Sequence, residues 1–373
     1  MNTTPAGLRL SRRSFVKILA AAGITSAGGY TLFEYAPWLN YAQQAGDMRR
    51  PFDQSTTGAA QSRELVRYAT LAASGHNAQP WKFAIQDQAI EIYPDYTRRL
   101  PVADAHDREL WISLGCALEN LLVAAGALGY ATEVSYPAAT DVIRVRLAKG
   151  TARGSRLFDA IPLRQNTRSE YDRQPIKRAE LDQLQAVPLE PGVALHVVTN
   201  PRDLDAIVEY LNHGDLSQYA DPAFVDELTT WLRFNKKEAM ATRDGLYTLC
   251  SGNPEVPRWL GQLFVAGTKP QQQADADAQK LRSSPAAIVV AAAADDKTAW
   301  VRTGQVYERL ALTMTTLNIK SAFLNQPIEV AALRSQFQRT LGLGDALPQL
   351  LVRIGYANAL PHSPRRPLEQ VLV

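Results

Sequence analysis

The chain has 373 residues, 46% of them hydrophobic and 21% charged. That is enough apolar content for a substantial core and too much for a disordered chain. The net charge is +3, and the excess lies within residues 1–40, where Arg9, Arg12, Arg13 and Lys17 face one acid, Glu34; the rest is neutral, which excludes the basic face of a nucleic-acid-binding protein. Two cysteines, Cys116 and Cys250, and five scattered histidines give no Cys-x-x-Cys, His-x-x-x-His or His-Glu-x-x-His spacing. No disulfide or metal centre is therefore expected.

The N-terminus reads Ser11-Arg12-Arg13-Ser14-Phe15-Val16-Lys17, then an uncharged run from Ile18 to Phe33. A basic stretch followed by an apolar one is the pattern of an export signal. Ser-Arg-Arg-x-Phe-x-Lys resembles the twin-arginine signal, which is read by the export machinery for folded proteins. The run has 16 residues and three glycines, short of the ~20 that span a bilayer. No clear Ala-x-Ala cleavage site follows, so an uncleaved N-terminal anchor is the alternative. Residues 34–60 read as a linker with an amphipathic piece at Tyr35–Tyr41.

Gln61–Ala73 has the spacing of an amphipathic helix, with Leu65, Tyr68, Ala69 and Ala72 on one face. Lys82–Gln86 and Ala89–Tyr93 alternate around Asp87-Gln88 and predict a hairpin. Arg108–Leu128 predicts a long apolar helix stopped at Gly129. Strands are expected at Thr132–Tyr136 and Val142–Leu147, and a boundary between halves near Lys149–Gly154. The second half predicts helices at Arg156–Ile161, Ala179–Ala186, Leu204–Asn212 and Ala223–Lys237, with a strand at Leu195–Thr199. Residues 240–283 read as irregular, which in a compact domain suggests a lid or a linker. A continuous apolar strand at Ala286–Ala292, a long helix at Trp300–Leu317, a helix at Val330–Leu341 and a strand at Leu350–Gly355 complete the chain.

Between the first helix and the hairpin lies Ser74-Gly75-His76-Asn77-Ala78-Gln79-Pro80-Trp81. Amides, a glycine and a rigid Pro-Trp pair in eight residues suit the edge of a flat heterocycle. An ordinary turn beside a buried Trp is the other reading. Arg164-Gln165-Asn166-Thr167-Arg168 offers two guanidiniums four residues apart, able to hold a phosphate by charge-assisted bonds or to sit as a solvated cluster. The two longest apolar helices also match at one offset: Trp111, Gly115, Glu119, Leu121 and Leu128 recur as Trp300, Gly304, Glu308, Leu310 and Leu317, 189 residues later. This is a trace of duplication, and Gly115 and Gly304 would let two helices approach closely.

Residues 74–81 resemble the Ser-x-x-Asn-x-Gln-Pro-Trp motif of the FMN-dependent nitroreductase superfamily. Residues 164–168, 326–329 and 365–366 resemble its Arg-x-Ser-x-Arg/Lys segment, its Pro-Ile-Glu-Gly loop and its C-terminal basic residues. Family members are homodimers that share these elements between subunits; here all four stand in one chain, as in the long, single-chain Acg-type FMN-binding proteins. The resemblance covers about residues 60–373. It implies an α+β fold, nitroreductase-like and duplicated as a pseudo-dimer, with halves at 41–150 and 151–373, residues 1–40 as signal or anchor, and residues 240–283 as a lid.

By position, the resemblance implies that Arg164, Asn166 and Arg365 or Arg366 hold the FMN phosphate and that Arg168 lies near the pyrimidine edge. Ser74, Asn77 and Gln79 would line the ring and ribityl chain, and Gln326, Pro327 and Ile328 would flank N5. Asn166 replaces the usual Ser, and Val330 stands where the motif has Gly. No Gly-x-Gly-x-x-Gly fingerprint is present, and no nucleophile–base constellation is evident. The function expected is an exported, monomeric FMN oxidoreductase acting on a small flat acceptor in the periplasm or at the outer face of the cell membrane. A flavin-sequestering protein with a closed site is the alternative; a binding or scaffold protein without flavin is a third.

Overall fold

The computed structural model describes residues 46–53, 55–137 and 140–373. The twin-arginine motif, the Ile18–Phe33 run and the Tyr35–Tyr41 piece lie outside the described residues. The first described helix, Ala59–Ala69, is shorter than its apolar spacing suggested. Residues 70–72 continue as turns whose carbonyls are taken by the C-terminal tail.

Strands β1 (Trp81–Gln86) and β2 (Ala89–Pro94) form the expected hairpin, with Phe83 opposite Ile92. The first central helix, Arg108–Ala127, follows, then β3 (Tyr130–Ser135) and β4 (Ile143–Lys149). The four strands form one antiparallel sheet in the order β1-β2-β4-β3. The second half starts with β5 (Val193–Val198), passes a small parallel pair, β6 (Leu232–Arg233) and β7 (Leu246–Tyr247), and reaches β8 (Ala286–Ala292). The second central helix, Lys297–Thr316, leads to β9 (Lys320–Phe323) and β10 (Leu347–Gly355). This sheet is also antiparallel, in the order β5-β8-β10-β9.

Matching β1, β2, β3 and β4 with β5, β8, β9 and β10 makes the two sheet orders identical, each with its central helix between the second and third strands. The helices end alike too: Gly129 and Asn318, 189 residues apart in sequence, both take left-handed backbone, φ 85° and 57°. The duplication suggested by five matched residues is thus repeated in topology and in a helix-stopping conformation. The central helices cross backbone to backbone at Gly115 and Gly304. Around that crossing Trp111, Leu114, Leu118 and Leu121 meet Val301, Val306 and Leu310 in the main core; each buried large aliphatic side chain there contributes on the order of 2 kcal/mol.

The halves differ in one connection. Asp87-Gln88 joins β1 to β2, whereas residues 199–285 lie between β5 and β8. This insertion folds into helices at Pro201–Ala220, Pro222–Trp231, Lys236–Thr242, Arg258–Ala266 and Pro270–Arg282. The reading of residues 240–283 as irregular is therefore corrected. In Pro270–Arg282, Ala278 and Leu281 join Ile207, Val208 and Leu211 in a second core on the outer face of the second sheet. Strand β8 is buried on both faces: Ile288 and Val290 enter the main core, Ala287 and Val289 the second. That accounts for its continuous apolar sequence. Helix Pro201–Ala220 is also far longer than expected, and the helix expected over 223–237 ends at Trp231.

The tail returns to the first half. Leu372 bridges Phe83 beside β1, Val373 N donates to Phe83 O at 2.9 Å, and Lys82 Nζ donates to Gln370 O at 2.8 Å.

Candidate functional site

The loop from Ser74 to Trp81 starts in extended backbone and then turns sharply. His76, Asn77 and Gln79 all have positive φ, 50°, 53° and 54°. Left-handed backbone costs a non-glycine residue roughly 1–2 kcal/mol, so three such residues together need firm support. Gln79 N donates to Ser74 Oγ (3.1 Å), and Gly75 N donates to Ser113 Oγ on the first central helix (3.2 Å). Gln79 Nε2 donates to Arg243 O (2.9 Å), Asn77 Nδ2 donates to Gly245 O (3.2 Å), and Gln79 Oε1 accepts from Arg366 N (2.8 Å). The loop is thus clamped by the insertion on one side and the tail on the other.

This clamped loop edges a cleft between the two halves, made of two chambers. The larger encloses about 1100 Å³ and is walled by Ser74 and His76, by Glu109, Ile112 and Cys116 of the first central helix, by Tyr219 and Phe224 of the insertion, and by Phe323 and Gln326. The smaller encloses about 560 Å³ and is walled by Asn77, Arg164, Asn166, Cys250, Ser251, Ser363 and Arg365. Ala73, Ser74, Arg168 and Leu246 belong to both walls. Two distant sequence segments and the tail therefore converge on one elongated site, apolar and aromatic at one end, polar at the other.

Arg168 stands at the junction of the chambers without a hydrogen-bond or ion-pair partner among the described residues. Burial, then the Arg353 charge, lowers its pKa, against the pull of Asp277. His76 lies close by, and burial followed by the Arg168 charge pushes its pKa down to about 4, so the imidazole is neutral near pH 7. A half-buried cation with no ion pair of its own is best explained by an anionic or electron-rich ligand.

The other arginines are already engaged. Arg164 Nε lies 2.8 Å from Glu308 Oε1, both side chains almost fully buried, and its Nη2 donates to Leu71 O at 3.0 Å. Its Nη1 has no partner among the described residues. Arg365 donates to the carbonyls of Thr70, Leu71 and Ala72 and to Asn77 Oδ1 (3.0, 3.3, 3.2 and 3.0 Å), a clasp between tail and loop. Asn166 Oδ1 accepts from Tyr307 OH at 3.1 Å.

Of the residues named from sequence, Ser74, Asn77, Arg164, Asn166, Arg168, Gln326 and Arg365 line the cleft. Gln79, Pro327, Ile328 and Arg366 do not: Gln79 is spent on the clamp, Ile328 fills the second core, and Arg366 donates to Gln79 O and Gln370 O. Gln326 Nε2 donates to Asp215 Oδ1 and Asp277 Oδ2, at 3.0 and 3.1 Å. Trp259 and Leu263, within the segment expected as a lid, are 64% and 61% exposed. Sequence reading passed over His76, Glu109, Tyr219, Asp277 and Glu329. His76 and Glu329, each inside a motif stretch, carried a signal; the others come from helices whose approach the sequence does not announce.

Duplication would generate a second, equivalent cleft, and there larger residues meet. Positions 113, 116 and 136 match 302, 305 and 325 in the offset. Arg302 lies over the Tyr136 ring at 4.9 Å, and Tyr136 OH donates to Gln305 Oε1 at 2.9 Å, where the open cleft has Ser113, Cys116 and Asn325.

Fold and cleft define an α+β protein whose two halves lie in one chain, with one open cleft between them. Over 321 residues, 83% of this chain and 90% of the relative, it is 27% identical to a Mycobacterium tuberculosis protein provisionally named an NAD(P)H nitroreductase. Over 324 residues it is 25% identical to the M. tuberculosis protein provisionally named NAD(P)H nitroreductase acg, covering 83% of this chain and 94% of the relative. The chain is thus a homologue of the Acg-type proteins. Among solved structures, the FMN-dependent nitroreductase NfnB of Mycobacterium smegmatis, in complex with NADPH, aligns with 58% of this chain and 96% of its own, at 15% identity and TM-score 0.38. Iodotyrosine deiodinase bound to FMN and 3-iodo-L-tyrosine aligns with 57% and 94%, at 11% identity and TM-score 0.36. No protein-family profile matches the chain.

Proposed function

We propose that the cleft binds one FMN and that the protein is an oxidoreductase passing electrons from a reduced nicotinamide donor to a small flat acceptor. The observation that carries this reading is Arg168, a partnerless guanidinium at the junction of an aromatic chamber and a polar one. A planar ring carrying negative charge on reduction suits that junction, and a phosphate suits the far end. Arg164 Nη1, Asn166, Ser251 and Ser363 would hold the phosphate; Ser74, Ile112, Leu246 and Phe323 would flank the ring. Bound there, the flavin would supply two-electron hydride chemistry, while the protein supplies position and electrostatics. Arg168 would stabilise the reduced, anionic ring, and neutral His76 would add no competing charge. The names of the homologues, NAD(P)H nitroreductases, support this reading.

A second reading has an observation of its own. Residues 243–250 are fastened to the Ser74–Trp81 loop and wall the smaller chamber, which suits retention of flavin with little turnover. Steady-state oxidation of reduced nicotinamide with quinone and nitroaromatic acceptors separates the two. Turnover that depends on acceptor supports the enzyme; bound flavin that neither substrate oxidises or reduces supports the store.

Export completes the proposal. The Ser-Arg-Arg-x-Phe-x-Lys segment supports delivery by the twin-arginine machinery to the periplasm, as a monomer that retains the segment as an anchor or loses it. Replacing Arg12 and Arg13 by Lys should leave the protein in the cytoplasm; unchanged export would point to another route.

A further inference from the structure

The larger chamber also holds two carboxyl groups brought together from opposite halves. Glu109 comes from the first turn of the first central helix, and Glu329 closes the short helix Gln326–Glu329. Their side chains meet within hydrogen-bonding reach, and both line the cleft. Glu109 Oε1 accepts from Asn325 Nδ2 (2.9 Å) and Arg108 Nη2 (3.2 Å). Among the described residues, Glu329 Oε2 accepts only from Gln218 Nε2, at 2.6 Å. Two touching carboxyls cannot both ionise, and the proton belongs on the one with fewer donors.

We propose that Glu329 is the proton donor to the reduced acceptor and that Glu109 is the positioning residue that keeps this proton at the cleft wall. The proposal rests on the FMN reading, since it needs a hydride donor in the same cleft. With a quinone acceptor, a bound reduced flavin would supply the electron pair as hydride and be oxidised in turn. The O–H bond of Glu329 breaks, a new O–H bond forms on the acceptor, and hydroquinone leaves. Glu329 regains its proton from solvent through the mouth of the cleft. Burial and the Glu109 charge raise the Glu329 pKa well above the usual carboxylate range, which keeps the acid form present at neutral pH.

Other charges face the pair. Arg108 opposes Glu109's effect, and Asp104, raised to about 6 by burial and by Glu109, lies on the same side. Asp277, paired with Lys280, and Asp215 lie across Gln326.

The test uses the full chain with bound FMN and the variants Glu329→Gln and Glu109→Gln. Flavin content is read by visible absorbance, the shared proton by the infrared carbonyl stretch of a protonated carboxylic acid, and proton delivery by stopped-flow reoxidation of the reduced flavin with a quinone, in light and heavy water across pH. Against Glu329→Gln the intact protein should show an additional acid band near neutral pH, beyond the Asp215 acid signal that every sample shares, and in Glu109→Gln that band should disappear at a lower pH. Reoxidation in Glu329→Gln should fall about a hundredfold and lose its solvent isotope effect. In Glu109→Gln, which also guards against a misfolded first variant, the rate should decline from a lower pH than in the intact protein. Full flavin content with unchanged rates, or identical acid bands in the intact protein and Glu329→Gln, overturns the donor role alone. Absence of flavin in every sample overturns the functional reading and the donor role with it.

Discussion

Gly115 and Gly304 pack backbone to backbone where the two central helices cross. A β-carbon on Gly115 would lie 2.0 Å from the carbonyl oxygen of Val301, and one on Gly304 would lie 2.0 Å from that of Ile112. The first central helix walls the cleft beside this crossing, through Ile112, Ser113 and Cys116.

Gly115→Ala and Gly304→Ala should each destabilise the protein by about 1–3 kcal/mol or more, because backbone on both sides must move. Gly126 lies in the same helix with nothing within 4 Å of a built β-carbon. Gly126→Ala should stabilise by roughly 0.5–1 kcal/mol. Urea unfolding of the three variants checks the contrast; equal effects at positions 115 and 126 would remove the close crossing.

Arg168→Leu should separate stability from binding. Losing a half-buried cation without an ion-pair partner among the described residues should leave the flavin-free protein about as stable as before or more so. Flavin affinity should fall about ten- to a hundredfold, since a charge-assisted bond contributes roughly 1.5–3 kcal/mol. Thermal melts without FMN and fluorescence titration with it check the pair. A variant that loses stability yet binds flavin normally would make Arg168 structural.

Stability should depend on pH through Asp215. Burial and the neighbouring Asp277 push its pKa up to about 8, whereas an unfolded aspartate titrates near ~4. Between these values the folded chain holds a proton that the unfolded chain has released, so stability falls as pH rises. Asp215→Asn still accepts from Gln326 and should gain about 1–3 kcal/mol near pH 7. Urea midpoints near pH 5 and pH 8 check this, and an identical decline in the variant would assign the dependence to another group.

The insertion separates core from surface. Trp259→Ser with Leu263→Ser, on the outward face of helix Arg258–Ala266, should change stability by no more than about 0.5 kcal/mol and leave flavin binding as it was. Leu281→Ala, in the second core, should cost about 2–5 kcal/mol. Loss of flavin in the double variant would restore the covering role expected from sequence.

What sequence could and could not show follows from the kind of signal each residue carries. The hairpin, β8 and the first central helix have strong periodicity or continuous apolar runs, and Trp111 with Gly115 and Glu119 announced their partners 189 residues on. Helix Pro270–Arg282 was missed because its buried side is mostly small, Ala274 and Ala278 among Gln and Asp, so no hydrophobic stripe shows. The motif residues gathered as a group, yet their tasks differ. Gln79 and Arg365 look like ligand-holding polar groups in sequence and are consumed by the clamp between loop and tail, because left-handed backbone at three positions needs partners. Glu109 and Glu329 are 220 positions apart and meet only because the halves fold onto each other.

The central claim is one flavin site per chain, open on one side of the helix crossing and filled by Tyr136, Arg302 and Gln305 on the other. The direct measurement is the amount of FMN released on denaturation from protein purified after reconstitution with excess FMN and removal of the unbound flavin. The account predicts one FMN per chain. No released flavin would contradict the site, and two per chain would contradict the filled second cleft.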